Sequence, residues 1–400
     1  MSDERPLRIL HVITRLILGG AQENTLLTVI GQQRRPRYRV TLLSGIDEGP
    51  EGNLHDRAHV AGVDLVLEPS LVRPIRPLMD LRCLVRLYRF MRRGRFAIVH
   101  THSSKAGILG RVAARLARVP IVVHTLHSLV FHEYQEAWKN RLYISLKRLC
   151  APMTDALISV NDKTTQGALA AGIGRPEQYV TIFSGMELQP FLAVRDALPS
   201  GDAKRRLGIP ADAPVVGKVA RLFPLKGHAQ FFEAAAHIAR AEPRAFFLLV
   251  GNGTLRAELE QRARALGLAE RMVFAGLVPP EDVPACLQAM DVVVHASLRE
   301  GIARVIPQAG AVGKPVVAFA MDGAPEVIRD GVSGCLVPPR DTAAMAERTL
   351  ALLADPERRR ALGEAGREFA AAHFRVESMV ERIDAVYERL LAARGGSSLI

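Results

Sequence analysis

The chain has 400 residues, 48% hydrophobic and 24% charged, a composition that excludes disorder as its main state and a length that exceeds one ordinary domain. Its 32 Gly and 24 Pro exclude collagen-like and low-complexity classes, and no run reaches the roughly 18 apolar residues of a membrane-spanning helix. The formal charge of +12 predicts attraction to something anionic: a phosphorylated ligand, a lipid surface or nucleic acid.

Residues 1–5 (Met-Ser-Asp-Glu-Arg) are acidic where a secretory leader is basic, and His11 and Arg15 break the apolar stretch behind them, so no leader is expected. Cys83, Cys150, Cys286 and Cys335 are far apart, with no Cys-x-x-Cys pair. That argues against a disulfide framework or a structural zinc and for a reducing, cytoplasmic setting.

In chain order, strands are expected at residues 7–13, 38–43, 63–67, 97–100, 121–125, 156–160 and 180–183. Helices are expected between them at 21–31, 78–93, 105–118 and 139–150. Residues 189–208, holding Pro190, Pro199, Ser200 and Gly201, read as a loop. The alternation then restarts, with strands at 215–220, 245–250, 272–274, 291–295, 316–319 and 334–337 and helices at 229–241 and 254–266. A long amphipathic run, about 376–393, closes the chain and could pack on either half. Such βα alternation argues for an α/β fold with a doubly wound parallel sheet, and its repetition for two Rossmann-like domains, 1–188 and 189–375. Ligands of such sheets bind beyond the carboxyl ends of the strands, and with two domains the cleft between them is the default site. The loops that follow strands therefore carry the functional candidates.

Gly19-Gly20 follows the first strand and opens a helix, an arrangement that suits an anion or simply a tight turn; it is not Gly-x-Gly-x-x-Gly, so a nicotinamide dinucleotide is a weak reading. After the first strand of the second half come Arg221 and Lys226, with Pro224 and Gly227 shaping the turn. Two cations there can converge on a diphosphate, Arg as a fork and Lys as a point charge. Gly251 and Gly253 end the next strand and permit close backbone approach, or only a turn around Asn252. The most informative stretch runs from His295 to Gly310. Glu300 stands before a helix expected to begin near Ile302, where the backbone N–H groups of Gly301, Ile302 and Ala303 would suit a phosphate. Gln308 would lie about two turns inside that helix, so that Glu300 and Gln308 could contact hydroxyls at opposite ends of a pyrophosphate-linked molecule. Glu326 follows Gly323-Ala324-Pro325 at another helix start.

Of the strand-end histidines His100, His102, His124, His127 and His295, His127 is the best functional candidate, because its loop would face the cleft. No Asp-x-Asp occurs, so no catalytic metal is expected. Residues 71–95 hold eight arginines and one acid, Asp80, with Leu81, Leu84, Val85, Tyr88 and Met91 interleaved at helical spacing. The basic amphipathic helix at 78–93 suggests an anionic membrane surface, or a helix that packs its apolar face on the sheet and shows Arg to water. Aromatics make up only 5%, so nucleic acid is not expected as a partner.

These motifs together, Gly19-Gly20-Ala21, Arg221…Lys226-Gly227, Gly251-Asn252-Gly253, Arg299-Glu300-Gly301 and Gly323-Ala324-Pro325-Glu326, resemble the retaining glycosyltransferases of family 4. The resemblance covers residues 7–340. It implies the GT-B fold, two Rossmann-like domains with parallel sheets facing a central cleft, the first binding acceptor and the second nucleotide sugar. It implies that the last helix, about 376–394, crosses back to the first domain. It further implies that Arg221 and Lys226 hold the donor diphosphate, that Gly19 and Gly20 approach it from the other domain, and that Glu300 sits at the hydroxyls of the transferred sugar. His127 would lie near that sugar. The family's second Glu, which binds ribose, is Gln308 here, a neutral amide that still hydrogen-bonds.

The expected activity is transfer of a hexose-type sugar from a nucleoside-diphosphate donor to a lipid-linked or glycan acceptor hydroxyl in envelope glycan or glycolipid synthesis, without metal or other cofactor. The expected location is cytoplasmic, peripheral on the inner face of the plasma membrane. A non-catalytic nucleotide-sugar-binding subunit and a sugar-nucleotide epimerase are the alternatives.

Overall fold

Runs of Val, Ile and Leu without polar alternation mark strands covered on both faces, as parallel sheets require. The computed structural model describes residues 6–46 and 52–395; the acidic start at residues 1–5 lies outside them. The chain divides into two units, residues 1–186 with 376–400, and residues 187–375.

In the first unit the strands are β1 (Leu7–Ile13), β2 (Tyr38–Ser44), β3 (Asp64–Leu67), β4 (Ile98–His102), β5 (Ile121–Leu126), β6 (Ala156–Ser159) and β7 (Tyr179–Thr181). They form one parallel sheet in the order β3-β2-β1-β4-β5-β6-β7. The second unit holds β8 (Val215–Val219), β9 (Phe246–Val250), β10 (Met272–Gly276), β11 (Val292–His295), β12 (Val316–Phe319) and β13 (Cys335–Val337), parallel in the order β10-β9-β8-β11-β12-β13. Each sheet reverses its winding once, between β1 and β4 and between β8 and β11. Loops leaving neighbouring strands part at these two places and leave a crevice.

Two expectations fail locally. Residues 189–208 are not a loop but carry the helices Gln189–Ala197 and Ser200–Arg206. Their prolines fit helix starts rather than breaks: Pro190 occupies the first turn, where its missing N–H costs nothing, and Pro199 precedes the second helix. The helix expected near Ile302 begins at Val305 and runs to Val312. Pro307 is the cause, because a start at Ile302 would place it in the helix interior, where its ring meets the preceding turn.

The final helix, Val376–Ala393, closes the core of the first unit with Met379, Val380, Ile383, Val386 and Tyr387 against Ile9, Leu26 and Val29. It lies close to the helix Gly20–Gln33, for a Cβ on Gly31 would stand 2.6 Å from Val380. Ile383 is 3% exposed. Ile383→Ala should therefore remove about 2–5 kcal/mol of stability, seen as a lower urea midpoint, while Arg389→Ala on the exposed face should leave the midpoint unchanged.

Candidate functional site

The second sheet's switch point is closed by two loops that its register brings together. Residues 220–227 follow β8, and residues 296–301 follow β11. The amide of Leu298 donates to Leu225 O at 2.8 Å, and Ser297 Oγ lies 3.3 Å from the same carbonyl. Leu225 and Gly227 both adopt left-handed backbone, with φ of 67° and 64°. At Gly227 a Cβ would stand 1.6 Å from Ala296 O, so only glycine allows this approach.

The loops meet in a charge pair: Lys226 Nζ lies 2.5 Å from Glu300 Oε1, with the side chains only 20% and 25% exposed. Ser297 Oγ donates to the same oxygen at 3.1 Å. A third loop, after β12, fixes the glutamate's backbone, since Glu300 N donates to Asp322 Oδ2 at 2.6 Å and Arg299 Nη1 to Asp322 Oδ1 at 3.1 Å. Burial opposes ionisation of Glu300. The Lys226 ammonium, with the Ser297 hydroxyl, outweighs it and holds the carboxyl below its usual range.

Beneath this pair lie two histidines and a lysine, Lys218, to which the sequence assigned no role. Lys218 interrupts the apolar run of β8, is 1% exposed, and its Nζ has no hydrogen-bond partner. Burial, aided by the Lys226 charge, pushes its amine down to about 7. His295 is also buried; desolvation brings it to about 3, so it is neutral. His228 donates through Nε2 to Arg221 O at 3.0 Å and leaves Nδ1 buried without a partner. One signal was available for Lys218: a lone charge inside a strand that is apolar on both faces needs a reason.

Arg221 sits in the same loop as Lys226, exposed, with its guanidinium 5.5 Å from the Phe223 ring. Gly251 and Gly253 have φ of 134° and 158°, and a Cβ on either would meet the chain's own carbonyls, Ala220 O at 2.0 Å and Leu222 O at 2.5 Å. Their close approach is thus to the loop that bears Arg221. Gly301, Ile302 and Ala303 precede the helix rather than begin it, which corrects the phosphate-binding helix start placed there. Gln308 is the fourth residue of Val305–Val312, not two turns inside, and its half-buried side chain bonds to no described residue.

In the first unit, Gly19 caps the helix Gly20–Gln33 after β1, and half-buried His127 follows β5. His11, His100, His102 and His124 are buried in the strands beside them. Burial brings His11 and His127 to about 4 and drives His100, His102 and His124 well below the ordinary value.

Residues 200–369 match the family model of glycosyl transferases group 1, and residues 19–185 that of the glycosyl transferase 4-like domain. Over 273 residues, 67% of this chain and 69% of the relative, the chain is 33% identical to the UDP-Gal:alpha-D-GlcNAc-diphosphoundecaprenol alpha-1,3-galactosyltransferase of Escherichia coli. It is 29% identical to the 2-deoxystreptamine glucosyltransferase of Streptomyces kanamyceticus over 71% of this chain and 74% of that one. The solved structure of Anabaena HepE in complex with UDP and glucose shares the fold, with a TM-score of 0.80 at 23% identity over 96% of this chain and 100% of that one. Two doubly wound parallel sheets and these likenesses define an enzyme, a glycosyltransferase of the GT-B type. The chain belongs to the glycosyl transferases group 1, in family 4.

The depressed amine of Lys218 has a measurable sign. From about pH 7 to the ordinary lysine range the unfolded chain binds one proton more at this site than the folded one, so stability rises with pH across that window and the penalty is fully present below it. Lys218→Met should be more stable than the parent at pH about 7 and should lose this share of the rise toward pH about 9.5. Urea midpoints at both pH values test it, and parallel pH dependences would refute the assignment.

Proposed function

We propose that the chain transfers a hexose from a uridine diphosphate sugar to a hydroxyl of a lipid-linked saccharide, with retention at the anomeric carbon. The observation that carries this reading is the Lys226–Glu300 pair at the switch point of the second sheet. Lys226 has three N–H donors and spends one on Glu300, leaving two for phosphate oxygens. Arg221 adds a planar fork from the same loop. Glu300, held ionised, accepts hydroxyl hydrogens of the sugar, and Gln308 faces the ribose.

In the reaction the bond from the anomeric carbon to the diphosphate oxygen breaks as the acceptor oxygen bonds to the same face of that carbon. The acceptor's proton passes to the leaving phosphate oxygen. Lys226 and Arg221 stabilise the charge that grows on the diphosphate, so neither a protein nucleophile nor a metal is needed in this reading. The names of the relatives support the donor and acceptor classes: one uses UDP-Gal on a diphosphoundecaprenol-linked sugar, and one was crystallised with UDP and glucose. With UDP-galactose and GlcNAc-diphosphoundecaprenol as probes, Lys226→Ala should lower turnover about tenfold to hundredfold, the worth of one charged contact of about 1.5–3 kcal/mol. Unchanged turnover would refute the role of Lys226.

The helix Pro77–Gly94 fits a lipid-linked acceptor. It buries Cys83, Leu87 and Met91, whereas Leu78 is 87% and Leu81 59% exposed and Val85 and Tyr88 also face outward among Arg82, Arg86, Arg89, Arg92 and Arg93. Of the apolar residues expected to interleave along the helix, Met91 is buried and Leu84 is half-buried against the same core, whereas Leu81, Val85 and Tyr88 join Leu78 in a second stripe beside the arginines. We read this stripe as a seat on an anionic membrane, which makes the enzyme cytoplasmic and peripheral. The chain should sediment with phosphatidylglycerol vesicles and not with phosphatidylcholine vesicles, and salt should release it. Equal sedimentation with both would remove the seat.

A further inference from the structure

Three histidines of the first unit, buried His11 and His102 and half-buried His127, are joined into a line whose direction is fixed at one end. Asp384, on the final helix, is 3% exposed and paired with Arg35 at 2.8 Å. Its Oδ1 accepts from Gln32 Nε2 at 2.8 Å. A carboxylate only accepts, so the Gln32 amide is oriented with its nitrogen toward Asp384 and its oxygen toward His11. Gln32 Oε1 lies 2.9 Å from His11 Nε2, and an amide oxygen only accepts, so His11 carries its proton on Nε2.

Each imidazole is neutral, because burial lowers all three rings below the ordinary range. A neutral ring donates from one nitrogen and accepts at the other. His11 Nδ1 therefore accepts from His102 Nε2 at 3.0 Å, and His102 Nδ1 accepts from His127 Nε2 at 3.3 Å. His127 Nδ1 is left with a lone pair and bonds to no described residue.

We propose that this one-way line, Asp384–Gln32–His11–His102–His127, holds His127 in the Nε2–H tautomer and presents its bare Nδ1 as the acceptor for a hydroxyl of the sugar substrate. The hydroxyl part of the proposal rests on the transferase reading above; the tautomer does not. Asp384, Gln32, His11 and His102 act as positioning residues, since of the five members of the line only His127 has a nitrogen that bonds to no described residue. Reversing the line would put the proton on Nδ1 and turn His127 into a donor, a change of chemistry without a change of position. The neighbouring His100 is not a link. Its Nδ1 faces Tyr387 OH at 2.6 Å and its Nε2 faces Thr125 Oγ1 at 2.7 Å. Although His11, His100 and His102 could be gathered round a cation, their nitrogens being within 4.8 Å of one another, both nitrogens of His100 are thus committed and the trio reads as hydrogen-bonded core.

Long-range nitrogen–proton NMR correlations of the full chain with 15N-labelled histidine, assigned through His127→Phe, His102→Phe and His11→Phe, test the tautomers directly without substrate. The expected result is a protonated Nε2 and a bare Nδ1 on all three rings; a proton on Nδ1 of His127 overturns the proposal and leaves the transferase reading intact. Gln32→Met, which removes the acceptor at the head of the line, should convert His127 to a mixture of tautomers, and an unmixed Nε2–H signal in that folded variant also overturns it. Asp384→Asn keeps a carbonyl oxygen for Gln32 and should keep the tautomer, whereas Asp384→Leu should lose it. With UDP-galactose as donor, Gln32→Met should lower kcat/KM about tenfold, and the double variant with His127→Phe should be no worse than His127→Phe alone. Additive losses would show that Gln32 acts on stability and not through His127.

Discussion

The contact between Lys226 and Glu300 is the one that ties together the loops at the second sheet's switch point. An exposed ion pair contributes little, because water and salt screen it and two long side chains must be ordered. This pair is mostly covered, is reinforced by Ser297, and has its glutamate backbone tied to Asp322. Three loops from β8, β11 and β12 thereby share one electrostatic centre. On the proposed reading, a diphosphate arriving there would meet an ammonium already aimed, with little side-chain freedom left to lose on binding. Neutral His295 and the depressed amine of Lys218 keep further positive charge from crowding the centre from below.

The glycines around that centre divide by cause. Gly227, Gly251 and Gly253 are required by the chain's own carbonyls, at distances no Cβ tolerates. They shape the loops that carry Arg221 and Lys226. The glycine pattern after a strand thus marks loops that pack closely on one another.

Much of the architecture was legible because parallel strands are apolar on both faces and stand out as short hydrophobic runs; β1, β2, β5 and β9 lie within a residue or so of where those runs predict. Errors came where proline has two meanings. Pro190 and Pro307 sit in first turns, yet read as a loop in one case and as the interior of a misplaced helix in the other. The site was legible one residue at a time. Lys226 and Glu300 are 74 positions apart, and Gln32 and Asp384 352 apart. Only sheet register and the packing of the last helix make them partners, and neither is written in local spacing. Lys218 and the line from Asp384 to His127 were hidden for the same reason: buried polar groups announce themselves by what surrounds them.

The placement of the helix Val376–Ala393 has a consequence for biosynthesis. A ribosome delivers the first 186 residues long before this helix, and until it arrives Leu26, Val29 and Gly31 show water the face it will cover. The nascent first unit must wait through synthesis of the whole second unit with that stripe bare and with Gln32 lacking its carboxylate. Completion of the first unit and the setting of the Gln32 amide therefore both wait for residues 376–393, so that a product stalled or clipped before them lacks both at once.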